Sequence, residues 1–227
     1  MKKYTAVVLA AGAGKRMNTK VHKQYLEVAG KPLLYYTLKA FEESRVDDIV
    51  LVTGAGEELY CRREIVEKYG FHKIKAVTAG GKERYHSVYQ GLLAAEGTDY
   101  VLIHDGARPL VEQEVIERCM ESVEKYQACA VGMPVKDTIK IVDGELFAKG
   151  TPDRSNLWQV QTPQTFSYAL IREAYCKMLQ QEDAVITDDA MVVERMTSVP
   201  VKLIEGSYRN IKITTPEDLL LMEAYLR

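Results

Sequence analysis

Short apolar runs alternate with longer segments of helical spacing along most of the chain. The apolar runs predict strands at residues 5–10, 48–53, 74–78, 100–104 and 129–133. Between them, apolar residues recur every three or four positions, as they do at Leu34, Leu38 and Phe41. Strand and helix therefore alternate repeatedly, which predicts an α/β fold with a mostly parallel, Rossmann-like sheet and helices on both of its faces.

Beyond Pro134 the pattern changes, because apolar and polar residues alternate in two stretches separated by the turn pair Asp143-Gly144. We predict a β-arm at about residues 136–160, inserted into a single domain that spans residues 1–227. A short ribbon that carries apolar side chains needs a surface to cover it, either its own domain or a second subunit. We interpret the arm as a dimerisation element and expect a homodimer.

The segment that follows the arm, residues 154–166, contains the single tryptophan and shows little periodicity. A helix follows it, and a second helix begins at Thr187 or Asp188, either of which is a suitable N-cap. The last helix begins near Thr215, with Pro216 in its first turn.

Three of the predicted strands end in loops that are rich in glycine and charged residues. These loops are residues 11–17, 80–84 and 105–109. Ligands of parallel sheets bind at the carboxyl ends of the strands, so the three loops are the candidates for a binding site. Lys15, Arg16 and Lys23 are suited to neutralise phosphates. Asp105 is the candidate magnesium ligand, because carboxylates at strand ends project towards phosphates held by neighbouring loops.

Each of these residues also has a purely structural interpretation. The glycines fit a tight strand-to-helix turn, and Asp105 fits a turn or a helix cap. Arg84 and Arg108 fit solvated surface cations, and His104 fits a hydrogen-bonded structural histidine rather than a base. The coincidence of similar chemistry at three strand ends favours a phosphate site over these alternatives.

The first loop differs from two common phosphate-binding motifs. A Walker loop requires Ser or Thr after Gly-Lys, whereas Arg16 follows Gly14-Lys15. A dinucleotide fingerprint requires glycine where Met17 stands and an acidic residue near the end of the second strand, where Thr53 stands. A glycine loop with several cations fits a triphosphate better than a dinucleotide.

Composition narrows the possible partners and the compartment. The 227 residues are 47% hydrophobic and 27% charged, which is typical of a globular protein. The net charge of −2 gives no broad basic surface, which argues against nucleic acid or an anionic membrane as a partner.

The apolar start is interrupted too early for a signal peptide, so we expect a cytoplasmic protein. The four cysteines are scattered singly, which indicates buried free thiols rather than zinc ligands or disulfides.

Several sequence blocks resemble those of a known family. Residues 9–17 (Leu-Ala-Ala-Gly-Ala-Gly-Lys-Arg-Met), followed by Lys-Gln-Tyr at 23–25, resemble the signature of sugar-phosphate nucleotidyltransferases. Further blocks are similar, in order, to those of the 2-C-methyl-D-erythritol 4-phosphate cytidylyltransferase family. They are His-Asp-Gly-Ala-Arg-Pro at 104–109, Lys-Asp-Thr-Ile-Lys at 136–140, Arg-Ser-Asn-Leu-Trp at 154–158, Gln-Thr-Pro-Gln at 161–164, Ile-Thr-Asp-Asp-Ala at 186–190 and Asn-Ile-Lys-Ile-Thr-Thr-Pro-Glu-Asp at 210–218.

The resemblance implies that CTP and methylerythritol phosphate combine, with Mg²⁺, to give CDP-methylerythritol and pyrophosphate in non-mevalonate isoprenoid precursor synthesis. It also implies a homodimer in which the arm of one subunit reaches the site of the other. In this family the first loop binds the CTP phosphates, through residues that correspond to Ala11, Gly12, Ala13, Gly14 and Lys15. The catalytic cations around the reacting α-phosphate correspond to Arg16, Lys23 and Lys212.

Other roles follow from the same resemblance. Gly81 and Ser87 correspond to residues near the cytosine base, and Asp105 corresponds to a residue that binds CTP and the metal. The residues that bind the sugar phosphate correspond to Arg108, Thr138, Arg154 and Thr187. We transfer no role to Arg209, because the position varies within the family.

Two other functions remain as alternatives. Ribitol-5-phosphate cytidylyltransferases share the Gln-Thr-Pro-Gln block and the final Asn-Ile-Lys, but they lack the Asn-Leu-Trp found at residues 156–158, which favours methylerythritol phosphate. A nucleotide-binding regulator without catalytic activity is the second alternative. The presence of Lys23, Asp105 and Lys212 together argues against a regulator, because binding alone does not need all three.

Overall fold

The computed structural model describes residues 2–12, 22–181 and 185–226. The strands within these ranges are β1 (Tyr4–Ala10), β2 (Glu27–Val28), β3 (Lys31–Pro32), β4 (Asp48–Thr53), β5 (Ile74–Ala79), β6 (Tyr100–Asp105), β7 (Ala128–Pro134), β8 (Ile141–Val142), β9 (Ala148–Gly150), β10 (Trp158–Ser167) and β11 (Lys202–Glu205). The α-helices within these ranges are α1 (Leu33–Glu42), α2 (Glu58–Tyr60), α3 (Arg84–Ala94), α4 (Gln113–Tyr126), α5 (Tyr168–Met178), α6 (Asp189–Met196) and α7 (Pro216–Leu226).

Among the described residues, seven strands form one sheet in the order β11-β7-β10-β6-β1-β4-β5. All neighbouring pairs are parallel except those that involve β10, which runs antiparallel to both β6 and β7. The prediction of a mostly parallel sheet is therefore confirmed. The carboxyl ends of the six parallel strands lie at one edge, where the predicted binding loops leave the sheet.

The strand β10 is the main element that the hydrophobic pattern does not reveal. It lies near the centre of the sheet, yet four of its buried residues are polar, namely Gln161, Thr162, Gln164 and Thr165. Buried polar side chains need hydrogen-bond partners, and Thr162 and Gln164 have them: Thr162 accepts a hydrogen bond from the backbone of Asp105, and Gln164 accepts one from the backbone of Ala190. Such a strand lacks the apolar run by which the other strands are recognised.

Alternate residues of β1 enter cores on opposite faces of the sheet. Ala6 and Val8 pack in one cluster with apolar residues of α1 and α4, and Val7 packs in the other with residues of α3 and α5. The prediction of helices on both faces is confirmed. A smaller cluster joins α7 to Val28, Leu33 and Ala107.

The arm is a shorter ribbon than the alternating pattern predicts. The ribbon consists of β8 and β9, and the turn between them is held by Asp143, whose carboxylate accepts hydrogen bonds from the backbone of Glu145 and Phe147. Near the end of the chain, β11 is a short strand that begins at Lys202, and residues 210–214, which precede α7, form no strand.

The cysteines are free thiols, as predicted. Cys61, Cys119 and Cys129 are buried, whereas Cys176 is partly exposed, so the prediction of burial is wrong for that residue. No helix within the described ranges is both long enough and apolar enough to cross a membrane.

Candidate active site

A cavity of about 350 Å³ opens at the carboxyl ends of β1, β5 and β6. Its walls come from all three predicted loops and from two segments distant in sequence. The lining residues are Leu9, Ala10, Ala11, Gly12, Lys23, Gln24, Gly81, Lys82, Glu83, Arg84, Ser87, Asp105, Ala107 and Lys212. The structure therefore brings together Ala11, Gly12, Gly81, Ser87 and Asp105, which lie in three separate segments of the sequence.

The loop between β5 and α3 forms one wall by close backbone packing. The amide of Gly81 donates a hydrogen bond to Ser87 Oγ at 3.1 Å. A Cβ atom on Gly80 would lie 2.6 Å from Cβ of Ala11, and one on Gly81 would lie 2.4 Å from Cβ of His86. These positions therefore require glycine for the loop to lie against both the first loop and the start of α3.

Asp105, at the end of β6, lies between two cations. Its Oδ1 is 3.3 Å from Arg84 Nε, and its Oδ2 is 2.7 Å from Lys212 Nζ. Burial alone would raise the pKa of Asp105, but Arg84, Lys212 and Arg108 outweigh burial and hold that pKa well below its usual range. The carboxylate is therefore ionised at neutral pH. The alternative interpretation of Asp105 as only a turn former or cap does not account for these two ion pairs.

The buried carboxylate of Asp189 fixes the position of Arg84. Its guanidinium donates two hydrogen bonds to Asp189, at 2.9 and 2.7 Å, and Tyr175 Oη donates to the same carboxylate at 2.6 Å. Asp189 is fully buried, and the side chain of Arg84 retains 30% exposure. Arg84 is thus not the solvated surface cation of the alternative interpretation.

Asp189, which supports the site through Arg84, is not among the residues predicted from the sequence. It lies 105 positions from Arg84, so no local pattern connects the two. The only signal was the pair of acidic residues in the Ile-Thr-Asp-Asp-Ala block at the start of α6.

Lys23 reaches the cavity from a 3₁₀ turn, Lys23–Tyr25. Its ammonium donates a hydrogen bond to the backbone carbonyl of Ile213 at 3.1 Å, next to Lys212. Gln24 is buried and donates to the carbonyl of Ala10 at the end of β1. The two lysines therefore approach one cavity although they are far apart in the sequence.

A second cavity, of about 310 Å³, shares a wall with the first. Arg84, Asp105 and Lys212 line both. The remaining lining residues of the second cavity are Arg108, Val160, Gln161, Thr162, Gln164, Thr187 and Asp188. The shared residues thus form a partition of alternating charge between two adjacent cavities.

Arg108 supplies a partly buried cation to the second cavity. Its Nη1 donates to the carbonyl of Asn210 at 2.7 Å, and its buried Nε has no hydrogen-bond partner among the described residues. Burial, together with the nearby Arg84, lowers the pKa of Arg108 despite the opposing effect of Asp105. A partly buried guanidinium with an unused donor is suited to an anionic ligand.

Thr187 lines the second cavity, whereas its neighbour Asp188 caps α6 by accepting a hydrogen bond from the amide of Met191 at 3.0 Å. Of the two predicted caps, Asp188 is confirmed and Thr187 is wrong. The Thr187 side chain is exposed and available to the cavity.

His104 is a buried, hydrogen-bonded histidine, in agreement with the structural interpretation. Its Nδ1 lies 3.1 Å from Thr162 Oγ1, and its Nε2 lies 3.0 Å from the carbonyl of Arg108. Burial lowers the pKa of His104 to about 4. The imidazole is therefore neutral at pH 7 and supports the loop that carries Asp105 and Arg108.

Two of the residues assigned to the sugar phosphate are not brought to this site. Thr138 and Arg154 are exposed on the arm, and neither is among the described residues that line the two cavities. Arg154 Nη1 instead donates to the carbonyl of Lys136 at 2.7 Å. Within one chain, Thr138 and Arg154 do not join the site at the sheet edge.

Four of the predicted site residues, Ala13, Gly14, Lys15 and Arg16, lie outside the described residues. Arg209, to which no role was transferred, donates to the carbonyl of Tyr225 at 2.8 Å and lies over the ring of that tyrosine, so it contacts the end of α7.

The donor set around Asp105 fits Mg²⁺ only if phosphates complete the coordination. Within the described ranges, no three His, Cys, Asp or Glu side chains cluster closely enough to hold a metal ion. Mg²⁺ in nucleotide sites is usually bound by one or two carboxylates together with substrate phosphates and water. A carboxylate has about four acceptor positions, so Asp105 can serve as such a ligand while it remains near Arg84 and Lys212.

The mostly parallel sheet, with two cation-lined cavities at its strand ends, defines an α/β enzyme of the nucleotidyltransferase class. The sequence profile of the family described as IspD, 2-C-methyl-D-erythritol 4-phosphate cytidylyltransferase, matches residues 4–227. The chain belongs to this family.

Individual relatives agree with the profile. A 2-C-methyl-D-erythritol 4-phosphate cytidylyltransferase of Lachnoclostridium phytofermentans is 51% identical over 227 residues, which cover 100% of this chain and 97% of the relative. One of Caldanaerobacter subterraneus subsp. tengcongensis is 48% identical, with 98% of each chain covered. The crystal structure of 4-diphosphocytidyl-2C-methyl-D-erythritol synthase from Anaerococcus prevotii superposes with a TM-score of 0.87 at 35% identity, covering 99% of this chain and 96% of that one.

Proposed function

We propose that this chain transfers the cytidylyl group of CTP to 2-C-methyl-D-erythritol 4-phosphate, which yields CDP-methylerythritol and pyrophosphate for non-mevalonate isoprenoid precursor synthesis. The observation that carries the proposal is the convergence of Lys23, Asp105 and Lys212 on one cavity that adjoins a second one. Two adjacent cavities whose shared wall carries the cations Arg84 and Lys212 suit two phosphorylated substrates that must react with each other.

CTP occupies the first cavity in this proposal. Its triphosphate lies along the first loop, from Ala11 and Gly12 through the segment that contains Arg16, and its base lies near Gly81 and Ser87. Two features support this placement: the β5–α3 loop packs closely against the first loop, and Lys23 lines the same cavity as Gly81 and Ser87.

The chemistry is an in-line attack of a sugar-phosphate oxygen on the α-phosphorus of CTP, with pyrophosphate as the leaving group. The attacking phosphate is already anionic at neutral pH, so no general base is needed. The barrier lies instead in bringing anions together and in the charge that develops in the transition state. Lys23, Lys212 and Arg16 neutralise that charge.

We assign Asp105 as the protein ligand of Mg²⁺, supported by its ionised carboxylate at the boundary of the two cavities. When bound, the ion neutralises phosphate charge and orients the leaving group. Arg84 and Lys212 hold the Asp105 carboxylate in place.

The sugar phosphate occupies the second cavity, held by Arg108 and Thr187 of the same subunit. We assign Thr138 and Arg154 to the site of the neighbouring subunit, so that the functional unit is a homodimer built through the arm. Exposed apolar side chains along the arm support a covered surface in the assembly. They include Ile141, Val142, Leu146 and Phe147, which are 47–80% exposed.

The domain division and location are part of the same proposal. Residues 1–227 form a single nucleotidyltransferase domain, and the arm at about residues 136–160 is a subdomain of it. A cytoplasmic location is supported by the four free thiols, which a reducing compartment maintains.

The test is pyrophosphate release from CTP and Mg²⁺ with each of two sugar phosphates. We expect turnover with methylerythritol phosphate and little with ribitol 5-phosphate. Preference for ribitol 5-phosphate would replace the proposal with the second cytidylyltransferase, and calorimetric binding of CTP without turnover on either sugar would indicate a regulator.

A further inference from the structure

Lys23 lies on a turn that is too short to fix its own position. Within the described ranges, the backbone hydrogen bonds of the 3₁₀ turn Lys23–Tyr25 are short-range, from the amide of Tyr25 to the carbonyl of His22 and from that of Leu26 to the carbonyl of Lys23. The orientation of so short an element depends on the side chains around it. Gln24 provides one tie, to the carbonyl of Ala10 at 2.7 Å.

His22 and Tyr25, which lie before and after this turn's central region, both contact the carboxylate of Glu57. Glu57 Oε1 lies 2.5 Å from His22 Nδ1, and Glu57 Oε2 accepts a hydrogen bond from Tyr25 Oη at 2.8 Å. Burial, together with Cys61 and Glu57, raises the pKa of Tyr25 far above its usual range, so its hydroxyl remains a donor. Glu57 therefore contacts both ends of the segment that carries Lys23, by a hydrogen bond from Tyr25 at one end and by the close approach of His22 at the other.

Glu57 is in turn held at the end of the sheet. The amide of Gly54, which directly follows β4, donates to Glu57 Oε2 at 3.2 Å. A Cβ atom on Gly54 would lie 2.7 Å from that oxygen, so the absence of a side chain at this position leaves the space that the carboxylate occupies. A continuous series of contacts thus connects the end of β4, through Gly54 and Glu57, to the turn that carries Lys23.

We propose that Glu57 is a positioning residue for Lys23. Its carboxylate holds the 3₁₀ turn against the end of β4, and the turn directs the ammonium of Lys23 into the first cavity. Glu57 is not among the described residues that line either cavity, so it acts through the turn rather than on substrate. The proposal rests on the catalytic role of Lys23 given above.

The first test is Glu57→Gln, which preserves the size of the side chain but removes the charge. We expect kcat for pyrophosphate release to fall by roughly tenfold to a hundredfold, because a misplaced catalytic group costs rates of this order. The KM for CTP should stay within about twofold, since binding involves the rest of the cavity. The matched control is Glu58→Gln, which makes the same charge change one residue later and should retain wild-type kcat.

A second variant disturbs the Glu57 carboxylate through its contact with Gly54. Gly54→Ala retains Glu57, but the added methyl group would displace the Glu57 carboxylate. We therefore expect the same selective loss of kcat. The double variant Gly54→Ala/Glu57→Gln should lose little more than Glu57→Gln alone, because both changes break one contact path. If Glu57→Gln does not fold, as judged by its melting temperature, Tyr25→Phe replaces it under the same criterion.

The outcomes separate this inference from the proposed function. A wild-type protein that releases no pyrophosphate with either sugar phosphate refutes the function itself. An active wild type combined with a normal kcat in Glu57→Gln, or with an equal loss in Glu58→Gln, overturns the positioning role. A loss that appears in KM rather than in kcat overturns it as well.

Discussion

The two regions that carry the proposed site residues are built differently. At the sheet edge, Arg84 lies between the carboxylates of Asp105 and Asp189, and Asp189 is fully buried. On the arm, Thr138 and Arg154 are exposed, and Leu146 is 80% exposed. The sheet edge is therefore ordered by contacts within one chain, whereas the arm carries apolar surface that one chain leaves uncovered.

This difference separates the two halves of the proposed reaction. Under the proposed function, CTP binds at the sheet edge, whose described lining residues come from one chain, and the sugar phosphate binds where residues from a second subunit are also needed. Changes at the sheet edge should therefore affect chemistry and folding in each subunit. Changes on the arm should affect association and the use of the second substrate.

The largest effect is expected when a catalytic cation is removed from the sheet edge. Lys23→Ala should lower kcat by about 10² to 10³, because a preorganised group that stabilises developing charge is worth that much. Steady-state pyrophosphate release measures the loss, and circular dichroism checks the fold. Lys177→Ala, which removes an exposed lysine paired with Glu173, is the control and should leave kcat unchanged. Near-normal turnover of Lys23→Ala would refute the assignment.

A smaller effect, on stability, is expected from Asp189→Ala. The change leaves the guanidinium of Arg84 without its bidentate partner and should reduce the free energy of unfolding by about 3 kcal/mol. That figure is at the low end for a broken buried pair because the Arg84 side chain is 30% exposed. Urea denaturation measures the change, with Glu173→Ala as a surface control expected to cost about 0.5 kcal/mol or less. Equal stability of the two variants would show that the buried pair does not hold the sheet edge.

Acid should weaken the sheet edge through His104. Because burial lowers its pKa to about 4 in the folded state, against about 6.5 unfolded, the neutral histidine favours the folded state fully only above about pH 6.5. This stability is lost progressively as pH falls from about 6.5 to about 4, and in His104→Gln the loss over that interval should be smaller. Unfolding free energies measured across the interval test this. The exposed His72 provides the control variant His72→Gln, and identical pH slopes for His104→Gln and wild type would contradict the account.

The smallest effect is expected on the arm. Leu146→Ser should leave the free energy of unfolding of a dilute monomer almost unchanged, because the side chain is 80% exposed. It should weaken dimerisation by about tenfold, as removal of an apolar contact from an interface does. Sedimentation equilibrium measures the dimer, and Leu59→Ser, which removes a leucine that is 70% exposed away from the arm, is the control. Equal dimer stability in both variants would place the interface elsewhere.

The hydrophobic pattern was sufficient for the parallel strands because a strand covered on both faces must be apolar along its length. It failed for β10, whose buried Gln161 and Gln164 satisfy their amides through distant partners, Ser207 and Asp188. It also overestimated the arm, because alternation in sequence does not ensure a partner strand. The hydrophobic pattern indicates which residues are buried, whereas the pairing of strands depends on residues that are far apart in the sequence.

The candidate site likewise contains residues that the sequence pattern reveals and residues that it does not. Glycine-rich loops and Asp105 could be located because strand ends share one edge of a parallel sheet. Asp189 and Glu57 could not, since each acts through partners far away in the sequence, Arg84 in one case and Tyr25 in the other. Their roles come from the three-dimensional arrangement alone.

The central claim, that one subunit's arm completes the other subunit's site, is tested most directly by mixing two inactive variants. Lys23→Ala lacks a catalytic cation at the sheet edge, and Arg154→Ala lacks the sugar-phosphate contact of the arm. In a mixed dimer, one site combines an intact sheet edge with an intact arm. Equal amounts, allowed to exchange subunits, should therefore recover about a quarter of wild-type activity. Activity that stays at the level of the separate variants, although mixed dimers are shown to form, would contradict the account.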